Sequence, residues 1–412
     1  MPAEPSIAPA ARRADARVLA AVGTGHFFSH FYAIVLPPLF PLMKEDLAVG
    51  YAALGLLLSA ANLASTALQV PVGFLVDRFG ARLLLVLGLG LMSGAIAAAG
   101  LVASYAGLLA LMVVLGVGNS VFHPADYAIL AARISPGRLG RAFGVHTFAG
   151  HVGSAVAPAT VVFLTGLWSW RAALVLVGLC GLGAMLPVLA RGRALGLDVH
   201  RAARTARRDE PGADSPPAPA RGGPRLLLSR PMLLLFLYMV LSSTAAGGLH
   251  GFTVTALVEV HGADLAVANA ALTALLLASA AGILTGGRLA DRTARHDLVI
   301  AGGLAGAAGV LATIGLVPLP SLAVVGAMAL VGLARGSIQP SRDMMVRAAA
   351  PAGSVGIVFG FVTAGMNVGG ALAPVVFGWL VDRGAGGWAF ILAALAMLFA
   401  LAAALLVNRR RR

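Results

Sequence analysis

Residues 140–164 read GRAFGVHTFAGHVGSAVAPATVVFL, and residues 356–380 read GIVFGFVTAGMNVGGALAPVVFGWL. A constant shift of 216 positions aligns the two stretches. It places Thr147 opposite Thr363, Gly153 opposite Gly369 and Pro158 opposite Pro374. Two distant apolar stretches that share their glycines and prolines in one register indicate that part of the chain is duplicated.

Two further blocks repeat in the same order. The shift of 216 also carries GVGNSVFHPADYAILAAR (116–133) onto GLARGSIQPSRDMMVRAA (332–349), and a shift of 214 carries GFLVDR (73–78) onto GRLADR (287–292). Three matched blocks predict two related halves. Halves repeated in parallel, with a binding site between them, are an architecture of secondary transporters.

The composition indicates the solvent in which these halves fold. Of 412 residues, 59% are hydrophobic and only 11% are charged, whereas charged residues make up about a quarter of a typical soluble domain. A helix needs roughly 20 apolar residues to cross a bilayer. The chain therefore reads as an all-α polytopic membrane protein with twelve transmembrane helices in two pseudo-symmetric six-helix halves. The predicted spans are 18–43, 53–76, 83–103, 105–132, 141–165, 170–190, 231–258, 266–289, 297–317, 320–348, 355–381 and 385–407.

The net charge of +14 is distributed unevenly along this topology. With twelve spans, the arginine clusters fall on one side, and the loops of the other side carry few basic residues. By the positive-inside rule both termini are expected to be cytoplasmic, in a bacterial plasma (inner) membrane. The sequence has no stretch in which basic and aromatic residues alternate, so it gives no support for nucleic-acid binding. The predicted segments are a tail (1–17), a first half (18–190), an Arg- and Pro-rich cytoplasmic linker (191–230), a second half (231–407) and a basic tail (408–412).

The loop after the second span carries a family signature. Residues 73–82, GFLVDRFGAR, resemble the G-x-x-x-D-R-x-G-R-[RK] motif of the major facilitator superfamily. The stretches GVGNSVFHPA and AGHVGSAVAP further resemble the fosmidomycin-resistance branch of that superfamily. The resemblance covers the whole chain and implies the major facilitator fold. The local resemblance implies proton-driven efflux.

The signature also implies a gate. Small Gly73 permits close helix contact, and Asp77 would face the N-terminus of the helix that begins near residue 355, which favours a carboxylate. The resemblance implies that these groups lock the cytoplasmic side shut. Alternatively, Asp77 and Arg78 belong to a solvated turn. The predicted gating residues are Gly73, Asp77, Arg78, Arg82 and Arg133, with Asp291 and Arg292 as a weaker copy in the second half.

Arg335 is the strongest candidate for substrate binding. It lies twelve residues from Arg347 on the tenth span, about 18 Å along a helix and thus near the midplane. A guanidinium stays charged there and needs a counter-ion. Asp343 is eight residues away on the same helix, about 12 Å, too far for contact. A substrate anion therefore remains as the favoured partner, with Gln339 beside it.

The first-half equivalent of Arg335 is Asn119. Asn119, His123 and Asp126 fall within about 60° of one another on an ideal helix, so they are predicted to share a face that lines the cavity. The alternative is that Pro124 kinks the helix and that His123 only bonds a carbonyl freed by the kink. Both readings remain open at this stage.

Further polar residues at helical depth are candidates for cavity lining, and for each a satisfied core position is the alternative. They are His26, His30, Tyr32, His151, His250 and Asn367. His26 and His30 are four apart and share a face, but no flanking carboxylate or thiol supports a metal site, so none is predicted. The candidates for proton coupling are Asp126, Asp343, His30 and His123, since histidine titrates in the range that a physiological pH gradient spans.

These features predict a secondary active transporter, not an enzyme, that moves a small organic anion through a single chain. Coupling to protons and efflux are expected, with proton-coupled uptake of a carboxylate as the alternative. A membrane-embedded enzyme would use the same histidines and aspartates, but no nucleophile with a base, metal spacing or phosphate loop supports one. No cofactor is expected. The partners are the solute, protons and the lipid bilayer, and the chain is predicted to be monomeric.

Overall fold

The computed structural model describes residues 9–134, 138–192, 226–351 and 355–408. Within them the chain forms fourteen α-helices of eight or more residues and no strand. The helices are α1 (Pro9–Ile34), α2 (Phe40–Leu47), α3 (Tyr51–Phe79), α4 (Ala81–Ala99), α5 (Tyr105–Asn119), α6 (Phe122–Arg133), α7 (Leu139–Leu167), α8 (Trp170–Arg191), α9 (Arg230–His261), α10 (Leu265–Arg292), α11 (His296–Leu316), α12 (Ser321–Ala349), α13 (Val355–Asp382) and α14 (Gly386–Asn408).

These helices make twelve spans that are long and apolar enough to cross a membrane. The predicted all-α fold with twelve spans is therefore confirmed. α1 with α2 forms the first span, and α5 with α6 forms the fourth. An even number of crossings places the start of α1 and the end of α14 on one side, called here the termini side.

The first span is not the single helix predicted over 18–43. It breaks after Ile34, and a 3₁₀ turn over Pro37–Leu39 leads into α2. Two adjacent prolines lack the N–H groups that would continue the ladder. Leu39 N–H closes the turn on the Leu36 carbonyl at 2.8 Å. α1 also begins at Pro9, inside the segment 1–17 predicted as a tail, and Arg138 forms an ion pair of 2.6 Å with Asp15 there.

The fourth span, predicted as one helix over 105–132, also breaks. α5 ends at Asn119 and α6 starts at Phe122. Pro124 offers no N–H to the carbonyl of Ser120. The Ser120 hydroxyl donates instead to the Val117 carbonyl at 2.6 Å, which completes the end of α5.

Pro124 and Pro340 occupy equivalent positions of the repeat, which predicts the same effect on both helices, but this prediction is wrong. Pro340 lies inside α12, which runs without a break from Ser321 to Ala349. Gly332 and Gly336 hold this part of α12 against the backbone of α10, so closely that an added Cβ would overlap α10 carbonyls. The tight seam supports α12 through its proline.

The duplication is visible in how each half is packed. Gly153 on α7 lies against the Phe27 carbonyl of α1, and its equivalent Gly369 on α13 lies against the Val240 carbonyl of α9. In both halves the fifth span thus meets the first at the same glycine. Most of the predicted linker (residues 193–225), the start of the first tail (1–8) and the last four residues lie outside the described residues.

Candidate functional site

The two halves close on each other at the side opposite the termini. The Asp382 carboxylate, at the end of α13, accepts hydrogen bonds from the backbone N–H groups of Tyr51 (2.6 Å) and Ala52 (2.8 Å) at the start of α3. The Ser59 hydroxyl and the Asn62 amide donate to carbonyls of α13 at 2.6 and 3.1 Å. A carboxylate at a helix N-terminus meets unpaired N–H groups and the positive end of the dipole.

Glycines bring the backbones of α3 and α13 together along this contact. A Cβ at Gly55 would overlap the Pro374 carbonyl, and one at Gly378 would overlap the Tyr51 carbonyl. Small residues let membrane helices approach to backbone contact. This side of the protein is therefore closed by main chain against main chain.

The same face of α3 is free toward the termini side. Gly73 continues the helical spacing of Gly55, Ser59 and Asn62, yet a Cβ added there would meet no atom within 4 Å. Phe74, next to it, is 72% exposed. α3 and α13 therefore diverge, and the cleft between the halves opens to the termini side.

The predicted gating residues are apart in this conformation. Their side chains lie exposed at helix ends, and among the described residues no ion pair joins any of the five that follow. These are Asp77, Arg78, Arg133, Asp291 and Arg292. Arg82 is partly buried at the start of α4. The residues before Val355, which the gate would also involve, lie outside the described residues.

Arg335 lies close to the middle of the 29-residue helix α12 and lines a cavity of about 260 Å³ together with Gln339, His250 and His151. Among the described residues no carboxylate forms an ion pair with Arg335, and no hydrogen bond to its guanidinium is present. Three of these side chains come from the second half, and His151 comes from the first. The arrangement offers a cationic group at mid-depth between the halves.

Asp343 does not face this cation. Its carboxylate is 2.8 Å from Nη2 of Arg342, its neighbour in sequence, and its side chain is 51% exposed. The predicted separation of Asp343 from Arg335 agrees with this pairing. Asp343 was predicted as a candidate for proton coupling within the membrane-spanning part of its helix, and the structure instead leaves its side chain half-exposed.

A second cavity, of about 170 Å³, lies toward the closed side and is lined by Tyr32, Asn62, Asn119 and His250. His250 belongs to both cavities. The Asn119 amide donates to Ser65 Oγ at 3.1 Å, so Asn119 and Arg335, equivalent in sequence, line different cavities.

Two residues that were predicted to line the cavity, Tyr32 and Asn367, do not point a free polar group into it. The Tyr32 hydroxyl is engaged by Ser93 (3.2 Å) and the Val177 carbonyl (3.0 Å), and Tyr32 is 2% exposed. It therefore ties α1 to α4 and α8 while its ring borders the cavity. Asn367 is partly buried on α13 and lines neither of the two cavities.

The first half gathers five histidines around Asp126, which is fully buried. His26 Nδ1 and His146 Nε2 lie 3.5 and 3.4 Å from the same oxygen, Asp126 Oδ2. The ring centroids of His30 and His123 are 4.5 and 5.7 Å from that of His26. His151 is farther out, its ring centroid 6.3 Å from that of His30. Asp126 thus points away from the face that it was predicted to share with Asn119 and toward α1 and α7.

His146 is the member that sequence reasoning missed. It is 1% exposed, and its ring stacks on that of His26 at 3.8 Å. A signal was present, because Gly150 and Gly153 mark the face of α7 that packs on α1, and His146 lies on this face one turn earlier. A Cβ at Gly150 would come within 2.8 Å of both His26 and His30, so this glycine makes room for the cluster.

The reason given for excluding a metal does not hold. No carboxylate flanks the α1 histidines in sequence, but α6 brings Asp126 to them in space. Ligand atoms of His26, Asp126 and His146 all lie within 4.8 Å of one another.

The two halves carry opposite charges at equivalent positions. The shift of 216 that pairs Pro124 with Pro340 also pairs Asp126 with Arg342 and His123 with Gln339. The first half thus presents a carboxylate with histidines, and the second presents guanidinium groups.

Comparison with known proteins identifies the fold. The family model described as Major Facilitator Superfamily matches residues 22–268 and 239–412. The crystal structure of a bacterial homolog of the human lysosomal transporter Spinster, in an inward-facing and occupied conformation, superposes with a TM-score of 0.74 at 16% identity, covering 96% of this chain and 97% of that one. At this identity the likeness concerns the fold alone.

Several curated proteins are similar in sequence. The probable L-galactonate transporter of Escherichia coli K12 is 28% identical over 34% of this chain and 31% of its own length. The fosmidomycin resistance protein of the same organism is 26% identical over 34% of each chain. These two alignments span about a third of the relatives they match. The probable sulfoacetate transporter SauU of Cupriavidus necator is 28% identical over 87% of this chain and 85% of its own.

Proposed function

Because the chain belongs to the Major Facilitator Superfamily, we propose that it is a secondary active transporter that exports a small organic anion across the bacterial plasma membrane. It works by alternating access, is driven by protons and needs only one chain for a complete pathway. The environment of Arg335 is the observation on which the proposal rests. A cation at mid-depth, lining a cavity between the halves without a carboxylate partner among the described residues, is most simply matched by the charge of the solute.

The names of the relatives support an anionic solute. Galactonate, sulfoacetate and fosmidomycin are all organic anions at neutral pH. Apart from their negative charge, the three solutes differ in structure. A site that binds all three would therefore need a cation for the charge and polar neighbours that can adapt to the rest of each molecule. Arg335 with Gln339, His250 and His151 has this composition.

The charge of the loops supports the orientation. The termini side carries the arginines at the ends of α3, α6 and α10, and basic loops remain in the cytoplasm. We therefore assign the termini side to the cytoplasm. The conformation is then inward-open, with the periplasmic side closed by α3 and α13.

Proton coupling is proposed for the transporter as a whole, without a named carrier side chain. It is supported by the resemblance to the fosmidomycin-resistance branch and by the use of ion gradients in transporters of this architecture. Export is supported by the relative named for fosmidomycin resistance. Uptake of a carboxylate is the second candidate, supported by the two relatives named for galactonate and sulfoacetate.

The test uses purified protein in proteoliposomes with an imposed pH gradient. The probes are galactonate, sulfoacetate and fosmidomycin, with solute flux and internal pH recorded together. We expect solute movement that dissipates the gradient, and recovery of the solute chemically unchanged. Flux of solute against the proton flow indicates export, and flux with it indicates uptake. No flux of any probe together with chemical turnover of one would contradict a transporter.

Arg335 is tested in the same vesicles. A charge-assisted hydrogen bond contributes about 1.5–3 kcal/mol, so Arg335→Gln is expected to weaken solute affinity about 10- to 150-fold. Arg335→Lys should retain part of it, since the charge remains but the planar fork is lost. Arg342→Gln is the comparison variant: Arg342 lies about two turns away and lines the same cavity, but it is already paired with Asp343, so its loss should have a smaller effect. Equal affinities for the wild type and Arg335→Gln would remove Arg335 from the site.

A further inference from the structure

The cluster in the first half has a geometry that solute binding at Arg335 does not explain. Asp126 is fully buried, and its two oxygens form no hydrogen bond within the described part of the chain. The same holds for His26 Nδ1 and for both ring nitrogens of His146. A buried, charged carboxylate without a hydrogen-bond partner is strongly unfavourable, so Asp126 either takes up a proton or faces a positive charge.

The distances distinguish between two sources of that charge. A hydrogen bond between an imidazolium and a carboxylate is about 2.7–2.9 Å long, and here both nitrogens are 3.4–3.5 Å from one oxygen. Ligand atoms about 2.0–2.1 Å from a tetrahedral Zn²⁺ are separated by about 3.3–3.4 Å. The two His–Asp distances therefore fit ligands around a shared ion better than hydrogen-bonded partners, and the stacked rings of His26 and His146 need to turn apart for both nitrogens to face the ion.

The chemistry and packing agree with the distances. Two imidazoles and one carboxylate are a ligand set that suits zinc and its neighbours in the first transition series. α1, α6 and α7 supply one ligand each, and Gly150 leaves the space that the His26 ring occupies. The rings of His30 and His123 are the next histidines outward, with centroids 4.5 and 5.7 Å from that of His26.

We propose that His26, Asp126 and His146 bind a divalent transition-metal ion, with Zn²⁺ as the best fit. The ion joins three helices in the buried interior of the first half. It neutralises Asp126, so this carboxylate is a metal ligand and not a proton carrier. The site goes beyond the proposed transport function, which depends on Arg335 in the other half.

The test is metal binding by the detergent-purified full chain, prepared without a polyhistidine tag and stripped with chelator. Co²⁺ is the probe, because its visible absorption reports both binding and coordination geometry, and Zn²⁺ is the competitor. We expect one Co²⁺ per chain with a spectrum typical of four or five ligands, displaced by Zn²⁺. Elemental analysis after dialysis against Zn²⁺ should give one zinc per chain.

Two variants remove different ligands. Asp126→Asn and His146→Gln should each weaken Co²⁺ binding at least about tenfold and abolish the visible band. His296→Gln, which alters a histidine bonded to Ser341 in the second half, should bind as the wild type does. Size-exclusion profiles and circular dichroism establish that each variant is folded, and if one is not, the other still decides the question.

Two outcomes would overturn the assignment. One is a wild-type chain that binds no stoichiometric metal. The other is stoichiometric binding that persists in the folded ligand variants. Neither outcome touches the transport assay, because binding is measured without solute or gradient. Loss of transport in Arg335→Gln with metal binding intact would likewise leave the metal site standing.

Discussion

Replacing Asp382 with asparagine is expected to open the side of the transporter opposite the termini. The carboxylate holds the N-terminus of α3 through two short hydrogen bonds, to Tyr51 and Ala52, and these exist only while α3 and α13 are together. Asparagine keeps one acceptor oxygen, so it retains one bond and loses the other together with the charge. The variant therefore destabilises the closed arrangement specifically.

The size of the effect follows from these two losses. A hydrogen bond to a charged group contributes about 1.5–3 kcal/mol, and a charge at a helix N-terminus about 0.3–1 kcal/mol. Asp382 is exposed, and solvent screening reduces both contributions. A net loss of about 1–2 kcal/mol remains, which shifts the ratio of closed to open molecules about 5- to 30-fold.

The assay is electron–electron distance measurement between spin labels on the side opposite the termini. Leu101 and Leu322 are 76% and 84% exposed and lie in the first and second halves. They are replaced by cysteine after Cys180, the single native cysteine, is changed to serine. We expect a longer-distance population to grow in Asp382→Asn. Asp46→Asn, which breaks an ion pair with Arg171 inside the first half, is the matched control and should leave the distribution unchanged.

A distance distribution identical in Asp382→Asn and its parent would refute the reasoning. It would mean that the glycine contacts and the hydrogen bonds of Ser59 and Asn62 hold the side closed and that the carboxylate contributes less than about 0.5 kcal/mol, within the range of ordinary surface substitutions.

Three further predictions concern glycines and the signature loop. Gly378→Val should force α13 away from the Tyr51 carbonyl and shift the same spin-label distances further than Asp382→Asn does; unchanged distances would contradict the backbone contact. Gly150→Ala should displace the His26 ring and weaken Co²⁺ binding without altering solute affinity, measured by titration of each ligand. Asp77→Asn should leave the inward-open state intact but reduce the outward-open population under turnover, seen as slower transport with unchanged solute affinity.

The fold could be predicted because its determinants are local in sequence. The length of an apolar run and the position of an arginine are each read from one stretch of the sequence. The repeat is read by comparing two stretches along the sequence at a fixed spacing. The breaks in the first and fourth spans were harder, since the sequence shows a proline at 37, 38, 124 and 340 alike. Whether a proline interrupts a helix depends on the neighbouring helix, as the seam of α10 with α12 around Gly336 illustrates.

The candidate site was predictable only in part, for a related reason. The depth of Arg335 followed from counting residues along one helix. The group around Asp126 could not be predicted in this way, because its members come from three helices and the spacing of residues along the sequence does not show which helices are in contact. Asp126 was predicted to share a cavity-lining face with Asn119, but the structure buries it against α1 and α7, because the helix is interrupted at Ser120 and not continuous.

Arg335 stands in the second half where Asn119 stands in the first, and this difference gives the protein a built-in polarity. Arg335 lines the cavity without a carboxylate partner among the described residues, whereas Asp126 is buried away from it, so a field runs across the cleft perpendicular to the direction of travel. A solute with an acidic group at one end and hydroxyl or donor groups at the other would be aligned by that field. It would keep the same end toward α12 whichever side of the membrane the cleft is open to. Duplication followed by the gain of a charge in one half has thus turned a symmetric frame into one that distinguishes the two ends of its solute.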